Sequence, residues 1–335
     1  MALRILMTIP YDIRDDEECR RIGAELFTIP CETEDELIAA TQDADAVVTL
    51  SLPFTKRVIS RLNKCKLIHS IGAGYDGIDI QAATGYGICV SFMGDYCSEE
   101  VAEHSIALIL ACARKLVRID RAVRKGGWTS DDSPQIANML PTIFQIKGQT
   151  LGIIGLGRIG RLIAAKAQAF RLRVIAFDPY LPSAVFKESG VELVTLDQLL
   201  SESDFISVNT ALTEETRHLL GIEEFRKMKP TAYFINCARA EIADEEALHT
   251  ALANGYIAGA GLDVVKGGVL SLNHPLLKLE NVIFTAHSAW YSEYSSSEVK
   301  RRTYEQIGLV FGEEWPIWFV NPEVKEKFVE RWGKA

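Results

Sequence analysis

Two residues in the second half of the chain have side chains suited to chemistry on a small carbonyl compound. Arg239 follows the apolar run Tyr233-Phe-Ile235, and His287 follows the run Val282–Phe284 in the same way. A guanidinium group holds a carboxylate through its planar fork, and an imidazole exchanges protons near neutral pH. Polar residues at the carboxyl ends of parallel strands line the ligand-binding edge of an α/β sheet. The pair therefore indicates a site that binds a small acid and moves a proton.

A glycine-rich turn lies near the middle of the chain, directly after the apolar run Leu151–Ile154. Its glycines are Gly155, Gly157 and Gly160, in the spacing Gly-x-Gly-x-x-Gly, and a helical pattern follows. In this motif the first glycine permits a tight turn, the second lets a pyrophosphate approach, and the third allows close helix–strand packing. Asp178 ends the next strand, where a carboxylate binds ribose hydroxyls and repels a 2′-phosphate. The segment predicts binding of NAD rather than NADP.

Composition excludes several other classes of function. The chain has 335 residues, 36 of them basic and 45 acidic, and its formal net charge is −9. Without a dense Lys/Arg run it lacks the basic footprint of a nucleic-acid binder, and no apolar run is long enough to span a membrane. Seven scattered cysteines without a Cys-x-x-Cys pair, and histidines without metal-ligand spacing, favour reduced thiols in a cytoplasmic protein without a metal.

Short β-rich runs alternate with helical patterns throughout, which predicts an α/β fold with parallel sheets. The predicted strands are Arg4–Ile9, Ala46–Thr49, Leu67–Ile71, Ile88–Ser91, Thr150–Ile154, Arg173–Phe177, Phe205–Val208, Ala232–Asn236, Gly259–Leu262 and Val282–Thr285. The predicted helices are Thr33–Asp43, one from Glu99 to about Lys125, Arg161–Phe170, and one from Glu293 to about Gly312. The second of these helices exceeds ordinary length, so we expect it to cross between domains or to pack against a partner subunit.

Several segments together resemble the D-2-hydroxyacid dehydrogenase family, and they occur in the family's order over nearly the whole chain. These segments are Gly72–Asp79, Val101–His104, Asn236–Arg239, Ile242–Leu248, Gly259–Val264 and Asn281–His287. Two further stretches, Phe177–Tyr180 and His287–Glu293, look most like the C-terminal binding protein branch of that family.

The resemblance implies a fold of two doubly wound parallel-sheet domains. A Rossmann NAD-binding domain, residues 101–293, would be inserted into a flavodoxin-like substrate domain built from residues 1–100 and 294–335. The active site would lie in the cleft, and the enzyme would be a homodimer that uses the helix after Glu99 at its interface. The cofactor would be NAD and the partner a small anionic substrate.

The resemblance also implies roles for individual residues. Arg239 would bind the substrate carboxylate, and His287 would be the catalytic acid. The cofactor would contact Gly155, Gly157, Arg158, Ile159, Gly160, Asp178, Thr210, Cys237, Ala238, Asp263 and His287. The substrate would meet backbone N–H groups of the turn Gly72-Ala73-Gly74-Tyr75 and the aromatic rings of Tyr75 and Trp290. We interpret the remaining histidines as structural or surface residues: His69, His104, His218, His249 and His274. Of these, His104 lies at a helix start near the expected cleft.

The chain departs from the family at one catalytic position. Family members carry a Glu about five residues after the Leu-Asp-Val segment, and this chain has Gly268 there, without a carboxylate between Asp263 and Glu280. A nearby carboxylate raises the pKa of a histidine, so its loss lowers the protonated fraction of His287. We expect slower keto-acid reduction with an acid-shifted pH optimum, or a changed reaction. Glu241 is a candidate replacement, although it could equally be a solvent-exposed turn residue.

Three functions remain open at this point. The first is an NAD-dependent oxidoreductase that interconverts a small 2-keto acid and a D-2-hydroxy acid. The second is an NAD-dependent enzyme that couples oxidation to decarboxylation or isomerisation and regenerates its cofactor in place. The third is an NAD(H)-responsive binding protein like the corepressors of the C-terminal binding protein branch, whose members keep the Glu that is absent here.

Overall fold

Parallel strands and the helices between them form two α/β units in the computed structural model, which describes residues 2–50 and 52–334. Unit 1 combines Met1–Cys97 with Ser292–Ala335, and unit 2 is the continuous segment Ser98–Tyr291. Within the described residues, no helix combines the length and the apolar character needed to cross a membrane.

The strands and helices alternate along the chain, as βα repeats require. The strands are β1 (Leu3–Met7), β2 (Ala24–Thr28), β3 (Ala46–Thr49), β4 (Leu67–Ser70), β5 (Cys89–Phe92), β6 (Thr150–Ile154), β7 (Arg173–Phe177), β8 (Glu192–Leu193), β9 (Phe205–Val208), β10 (Tyr233–Asn236), β11 (Gly259–Leu262) and β12 (Val282–Phe284). The helices are α1 (Asp16–Arg21), α2 (Glu34–Thr41), α3 (Lys56–Ile59), α4 (Ile80–Gly85), α5 (Ser98–Ala113), α6 (Leu116–Arg124), α7 (Pro134–Met139), α8 (Arg158–Ala169), α9 (Ser183–Glu188), α10 (Leu196–Glu202), α11 (Ile222–Lys227), α12 (Glu245–Ala253), α13 (Glu293–Phe311) and α14 (Lys325–Trp332).

The strand orders confirm the predicted fold class. Unit 1 has a five-stranded sheet in the order β2-β1-β3-β4-β5, which is the flavodoxin-like order. Unit 2 has a seven-stranded sheet in the order β12-β11-β10-β9-β6-β7-β8, and its first six strands in sequence follow the Rossmann order. The pairings within both sheets are parallel.

Burial of both faces of the sheets explains why the sequence predicts the central strands. Every residue of β3, β9 and β10 is buried, so these strands appear as continuous apolar runs rather than alternating ones. The strands that were not predicted, β2 and β8, lie at sheet edges and are largely exposed, and β8 has only two residues. Their sequences therefore lack the apolar signal.

The prediction of one long helix from Glu99 to about Lys125 was wrong. The chain forms two helices, α5 and α6, with Lys115 between them in the left-handed conformation at φ 56°. The Lys115 side chain is buried, and its ammonium group lies 4.7 Å from the ring centroid of Tyr233 in β10. Contact of this cation with the sheet stabilises a backbone conformation that interrupts the helix.

Other local features follow the sequence more closely. Thr33 caps α2 in a capping box with Glu36, as their spacing predicts. The helix after the glycine turn begins at Arg158, three residues earlier than predicted, because the third glycine of the motif already lies within it. All seven cysteines are free thiols, and Cys237 is the one that is not fully buried.

His69 in β4 makes unit 1 sensitive to acid. Its side chain is fully buried, its Nδ1 lies 2.8 Å from Ser91 Oγ, and burial lowers the pKa to about 3. The unfolded chain binds a proton below its usual pKa of about 6.5 and the folded chain does not, so stability falls as the pH drops below that value. Near pH 5 the expected loss relative to neutral pH is about 2 kcal/mol.

Urea denaturation near pH 7 and near pH 5 tests this effect. The variant His69→Gln keeps a polar side chain beside Ser91 and cannot titrate, so we expect it to lose about 2 kcal/mol less than the natural chain between the two pH values. His249→Gln, on α12, is the matched control and should behave like the natural chain. Equal losses in all three proteins would contradict the prediction.

Candidate active site

The glycine turn between β6 and α8 has the geometry of a phosphate-binding loop. Gly155 has φ +90°, and a Cβ there would lie 2.8 Å from the backbone nitrogen of Thr210. A Cβ on Gly160 would lie 2.3 Å from the carbonyl oxygen of Gly155, so only glycine allows α8 to pack this closely. A Cβ on Gly157 would meet nothing within 4 Å, and the start of α8 remains open to a ligand.

Asp178 lies next to this turn, at the end of β7. Its Oδ2 accepts a hydrogen bond from the Leu156 N–H at 3.0 Å, and its Oδ1 accepts one from the Tyr180 N–H at 3.1 Å. The carboxylate is thereby fixed beside the glycines, while α8 presents backbone N–H groups at its first residues, Arg158 and Ile159. These residues fit a dinucleotide whose pyrophosphate would lie at the helix start and whose ribose would lie at Asp178.

Substitutions of Gly160 and Gly157 should have different effects. We expect Gly160→Ala to destabilise the protein by about 2 kcal/mol, because the new methyl group overlaps a backbone carbonyl. We expect Gly157→Ala to leave stability within about 0.5 kcal/mol and to weaken NADH binding by at least about tenfold, because its methyl group stands where a pyrophosphate would approach. Urea denaturation and an NADH fluorescence titration measure the two effects. A Gly157→Ala protein that binds NADH normally would contradict this assignment.

Arg239 lies in a turn that the buried Asn236 holds after β10. The Asn236 side chain accepts a hydrogen bond from the Ala238 N–H at 3.0 Å and donates one to the Arg239 carbonyl at 2.9 Å. Arg239 Nη1 also donates to the Ala238 carbonyl at 2.9 Å. Burial raises the pKa of the neighbouring Cys237 thiol to about 12, so this cysteine stays protonated and is no nucleophile.

Asp263 organises the loop that carries His287. It follows β11 and is 3% exposed, and its carbonyl accepts the His287 N–H at 2.7 Å. Its Oδ1 accepts the Thr285 hydroxyl at 2.6 Å and the Ser288 N–H at 2.9 Å, while Oδ2 accepts the Ala289 N–H at 3.1 Å. Asp263 thus holds four of the five residues from Thr285 to Ala289, all but Ala286.

Two residues of this loop have a backbone conformation that non-glycine residues rarely adopt. Ala286 has φ 51° and His287 has φ 56°, both in the left-handed region. Each such residue costs about 1–2 kcal/mol, and strain of this kind persists where the surrounding contacts over-determine it. The hydrogen bonds to Asp263 supply those contacts. We infer that the loop is shaped to present the imidazole.

The pKa of His287 lies below its usual value. His287 is an exposed residue of its loop, and the partial burial of its imidazole is the largest cause of the shift. Asp263 acts in the opposite direction and raises the pKa, while the guanidinium of Arg239 lowers it further. The structure therefore brings Arg239, Asp263 and His287 close enough to interact, at the ends of three neighbouring strands. At neutral pH the imidazole is mostly unprotonated.

The loop after Asp263 has no carboxylate that faces His287. Gly267 and Gly268 have φ values of +70° and +72°, and a Cβ on Gly268 would meet nothing within 4 Å. Glu241 lies in a short 3-10 turn, where its backbone carbonyl accepts the His218 N–H at 2.8 Å. The charged groups that shift the His287 pKa are Asp263 and Arg239, so a catalytic role of Glu241 stays a prediction.

The predicted substrate-binding turn belongs to unit 1 and follows β4. A Cβ on Gly72 would lie 2.8 Å from Leu50 Cδ1, and the Gly74 carbonyl accepts a hydrogen bond from Ser70 Oγ at 2.7 Å. Tyr75 is 38% exposed, and its ring packs edge-on against Phe92 with 5.3 Å between the ring centroids. The Ser70 hydrogen bond holds the turn, and Leu50 leaves no room for a side chain at Gly72.

Trp290 belongs to unit 2 and lies shortly after His287. Its ring packs edge-on against Tyr291, with 5.4 Å between the ring centroids. The assignment of Trp290 and of the turn Gly72–Tyr75 to the substrate stays a prediction.

Sequence reasoning placed His104 among the structural or surface histidines, and the structure places it beside Asp263. Its Nε2 lies 2.9 Å from Thr285 Oγ1 and 3.7 Å from Asp263 Oδ1. Helical spacing could have indicated this position, because Val101 and Leu108, one turn away on either side, are both buried on α5.

One family of enzymes matches this chain in comparisons with known proteins. A model of the family "D-isomer specific 2-hydroxyacid dehydrogenase, NAD binding domain" matches residues 106–289. A glyoxylate reductase of Korarchaeum cryptofilum is 39% identical over 289 residues, which are 86% of this chain and 86% of the relative.

Two solved structures have the same fold over nearly the full length. D-lactate dehydrogenase from Aquifex aeolicus, complexed with NAD and lactic acid, has a TM-score of 0.79 and 27% identity, and the match covers 98% of this chain and 97% of that one. The acyclic imino acid reductase Bsp5, in complex with NADPH and D-Arg, has a TM-score of 0.82 and 27% identity, with 95% and 100% covered.

Proposed function

Because this chain belongs to the D-isomer specific 2-hydroxyacid dehydrogenases, a family of NAD-dependent oxidoreductases, we propose that it interconverts a small anionic 2-keto acid and the corresponding D-2-hydroxy acid. One observation carries the proposal. A guanidinium group and an imidazole interact at the ends of β10 and β12, with the buried Asp263 at the end of the strand between them.

Each of these side chains has a task in that reaction. The Arg239 guanidinium binds the substrate carboxylate and polarises the adjacent carbonyl, because its fork matches a carboxylate and its charge is permanent. When bound, NADH supplies the hydride that the carbonyl carbon accepts. His287 gives a proton to the carbonyl oxygen during reduction and takes it back from the hydroxyl during oxidation. Asp263 keeps the imidazole in place through the loop contacts.

The absence of a Glu at position 268 changes the balance between reduction of the keto acid and oxidation of the hydroxy acid. Asp263 raises the pKa of His287, but burial and Arg239 lower it by more, so the pKa stays below its usual value. The imidazole is therefore mainly a proton acceptor near neutral pH. This state suits oxidation of a hydroxy acid, and reduction requires the smaller protonated fraction. We therefore propose a reductase whose rate is highest in mildly acidic solution.

An NADH-consumption assay with a panel of 2-keto acids tests the proposal. The panel contains glyoxylate, hydroxypyruvate, pyruvate and a bulkier aromatic keto acid, each measured from acidic to weakly alkaline pH. The glyoxylate reductase relative supports starting with the smallest substrates. We expect turnover of at least one member, fastest on the acidic side of neutrality. Tight NADH binding without turnover of any member would contradict the proposed function.

Gly268 also favours a second candidate, reduction of the imine formed from a keto acid and an amine. An imine nitrogen is more basic than a carbonyl oxygen, so it can carry a proton before hydride transfer and needs less from His287. The fold shared with an acyclic imino acid reductase supports this candidate. Adding methylamine to the keto-acid assay at weakly alkaline pH distinguishes the two: a large rate increase favours imine reduction, and an unchanged rate favours the keto acid.

A further inference from the structure

A chain of hydrogen bonds links α5 to the His287 loop. His104 Nε2 lies 2.9 Å from Thr285 Oγ1, and the Thr285 hydroxyl lies 2.6 Å from Asp263 Oδ1. The His104 side chain is 24% exposed, and the Asp263 side chain is 1% exposed. These contacts lie within unit 2 and are distinct from the Asp263 contacts to the loop backbone.

The direction of each hydrogen bond follows from the groups involved. An ionised carboxylate can only accept hydrogen bonds, so the Thr285 hydroxyl must donate its one proton to Asp263. The Thr285 oxygen then has only lone pairs to offer, and His104 must donate to it from Nε2. This places a proton on His104 Nε2. The Thr285 hydroxyl that donates to Asp263 is thereby itself held by a hydrogen bond from His104.

We propose that His104 is a positioning residue for His287: through Thr285 and Asp263 it holds residues 285–289 in the left-handed turn that presents the imidazole to the substrate. The inference rests on the proposed function in that His287 is taken as the proton carrier.

Two features of the loop make such support necessary. Ala286 and His287 are both in the left-handed region, so the loop relaxes unless its contacts hold it. The position where the resemblance expects a Glu is Gly268, and a Cβ there would meet nothing within 4 Å. The hydrogen bonds between Asp263 and residues 285–289 therefore fix the position of the imidazole. His104, on α5, is a side chain that bonds to Thr285 in this set.

The test uses His104→Leu, His104→Gln, Thr285→Val and the double variant His104→Leu/Thr285→Val in the full-length protein. Glutamine keeps a donor that can reach Thr285, and leucine removes it. His249→Leu, on α12, is the matched control for a loss of histidine. Steady-state kinetics with the best 2-keto acid, NADH affinity, thermal unfolding and NMR titration of the histidine C2–H signals are measured for each.

We expect His104→Leu to lower kcat/KM for reduction about tenfold, the effect of one hydrogen bond, and His104→Gln to stay within about twofold. NADH affinity should change little. Leucine should also let the loop loosen, so that the His287 pKa rises toward its usual value. A rising pKa alone would accelerate reduction, so a fall in rate together with a rise in pKa identifies lost positioning. Charged groups that face His287 are Asp263 and Arg239, and neither is altered.

The double variant supplies the strictest criterion. If His104 acts through Thr285, adding His104→Leu to Thr285→Val causes no further loss. Additive losses, a His104→Leu protein that matches His249→Leu, or a His104→Gln protein as impaired as His104→Leu would each overturn the inference.

The NMR titration needs no substrate: if no keto acid is turned over, the proposed function fails, and an unmoved His287 pKa in His104→Leu separately overturns the inference. Should leucine prevent folding, Thr285→Val and His104→Gln still decide it.

Discussion

Replacement of Arg239 by glutamine is expected to lower kcat/KM for 2-keto acid reduction about a thousandfold, a loss of about 4 kcal/mol of transition-state stabilisation. Arg239 is the cation that acts on His287 at the ends of β10 and β12. Glutamine keeps a donor and loses both the charge and the bidentate fork. Lysine keeps the charge alone, so Arg239→Lys should recover part of the activity. Steady-state kinetics on the natural chain and both variants provide the measurement.

Arg226→Gln is a suitable control for the Arg239 series, because Arg226 lies on the surface of α11 in an exposed ion pair with Glu223. We expect it to leave kcat/KM unchanged. NADH affinity should be similar in all variants, since the glycine turn and Asp178 are untouched. A loss of less than about fivefold in Arg239→Gln would exclude Arg239 as the carboxylate-binding residue.

Replacement of His287 by glutamine is expected to lower the rates of both reduction and oxidation by about a thousandfold, within the usual range for removal of a general acid–base group. The substitution should also abolish the pH dependence that the imidazole causes. His287 has a positive φ, a region in which histidine is more common than most non-glycine residues, but the unbranched Cβ of glutamine can adopt it too, so the substitution adds little backbone strain. The measurement is kcat/KM in both directions across the pH range.

The matched control for this histidine is His249→Gln, which should retain the natural rates and pH profile. A His287→Gln protein that keeps activity within about threefold would show that another group moves the proton, and Glu241 would then be the first residue to replace.

The sequence predicts the scaffold and the residue types of the site because both depend on local patterns. Buried parallel strands such as β9 and β10 read as apolar runs, and Arg239 and His287 follow their strands at the distance that places them on the ligand-binding edge. The three glycines predict a phosphate-binding turn because steric limits act on the backbone itself, and the close contacts of Gly155 and Gly160 show those limits.

The parts that sequence did not predict depend on contacts between distant segments. The break at Lys115 involves a cation packed on Tyr233, more than a hundred residues away along the chain. The role of His104 requires α5 to lie beside the end of β12, and its partner Thr285 is 181 positions distant. The left-handed conformation of Ala286 and His287 carries no local glycine signal, because the contacts to Asp263 stabilise it.

The central claim is that His287 exchanges the substrate proton with a pKa below its usual value, in a site that has Gly268 where the resemblance implies a Glu. The pH dependence of kcat/KM for the natural chain tests it most directly. Reduction needs protonated His287, so its rate should be constant in acid and should fall about tenfold per pH unit above an apparent pKa below about 6.5. Oxidation should show the opposite limb. An apparent pKa above neutrality, or a reduction rate independent of pH, would contradict the account.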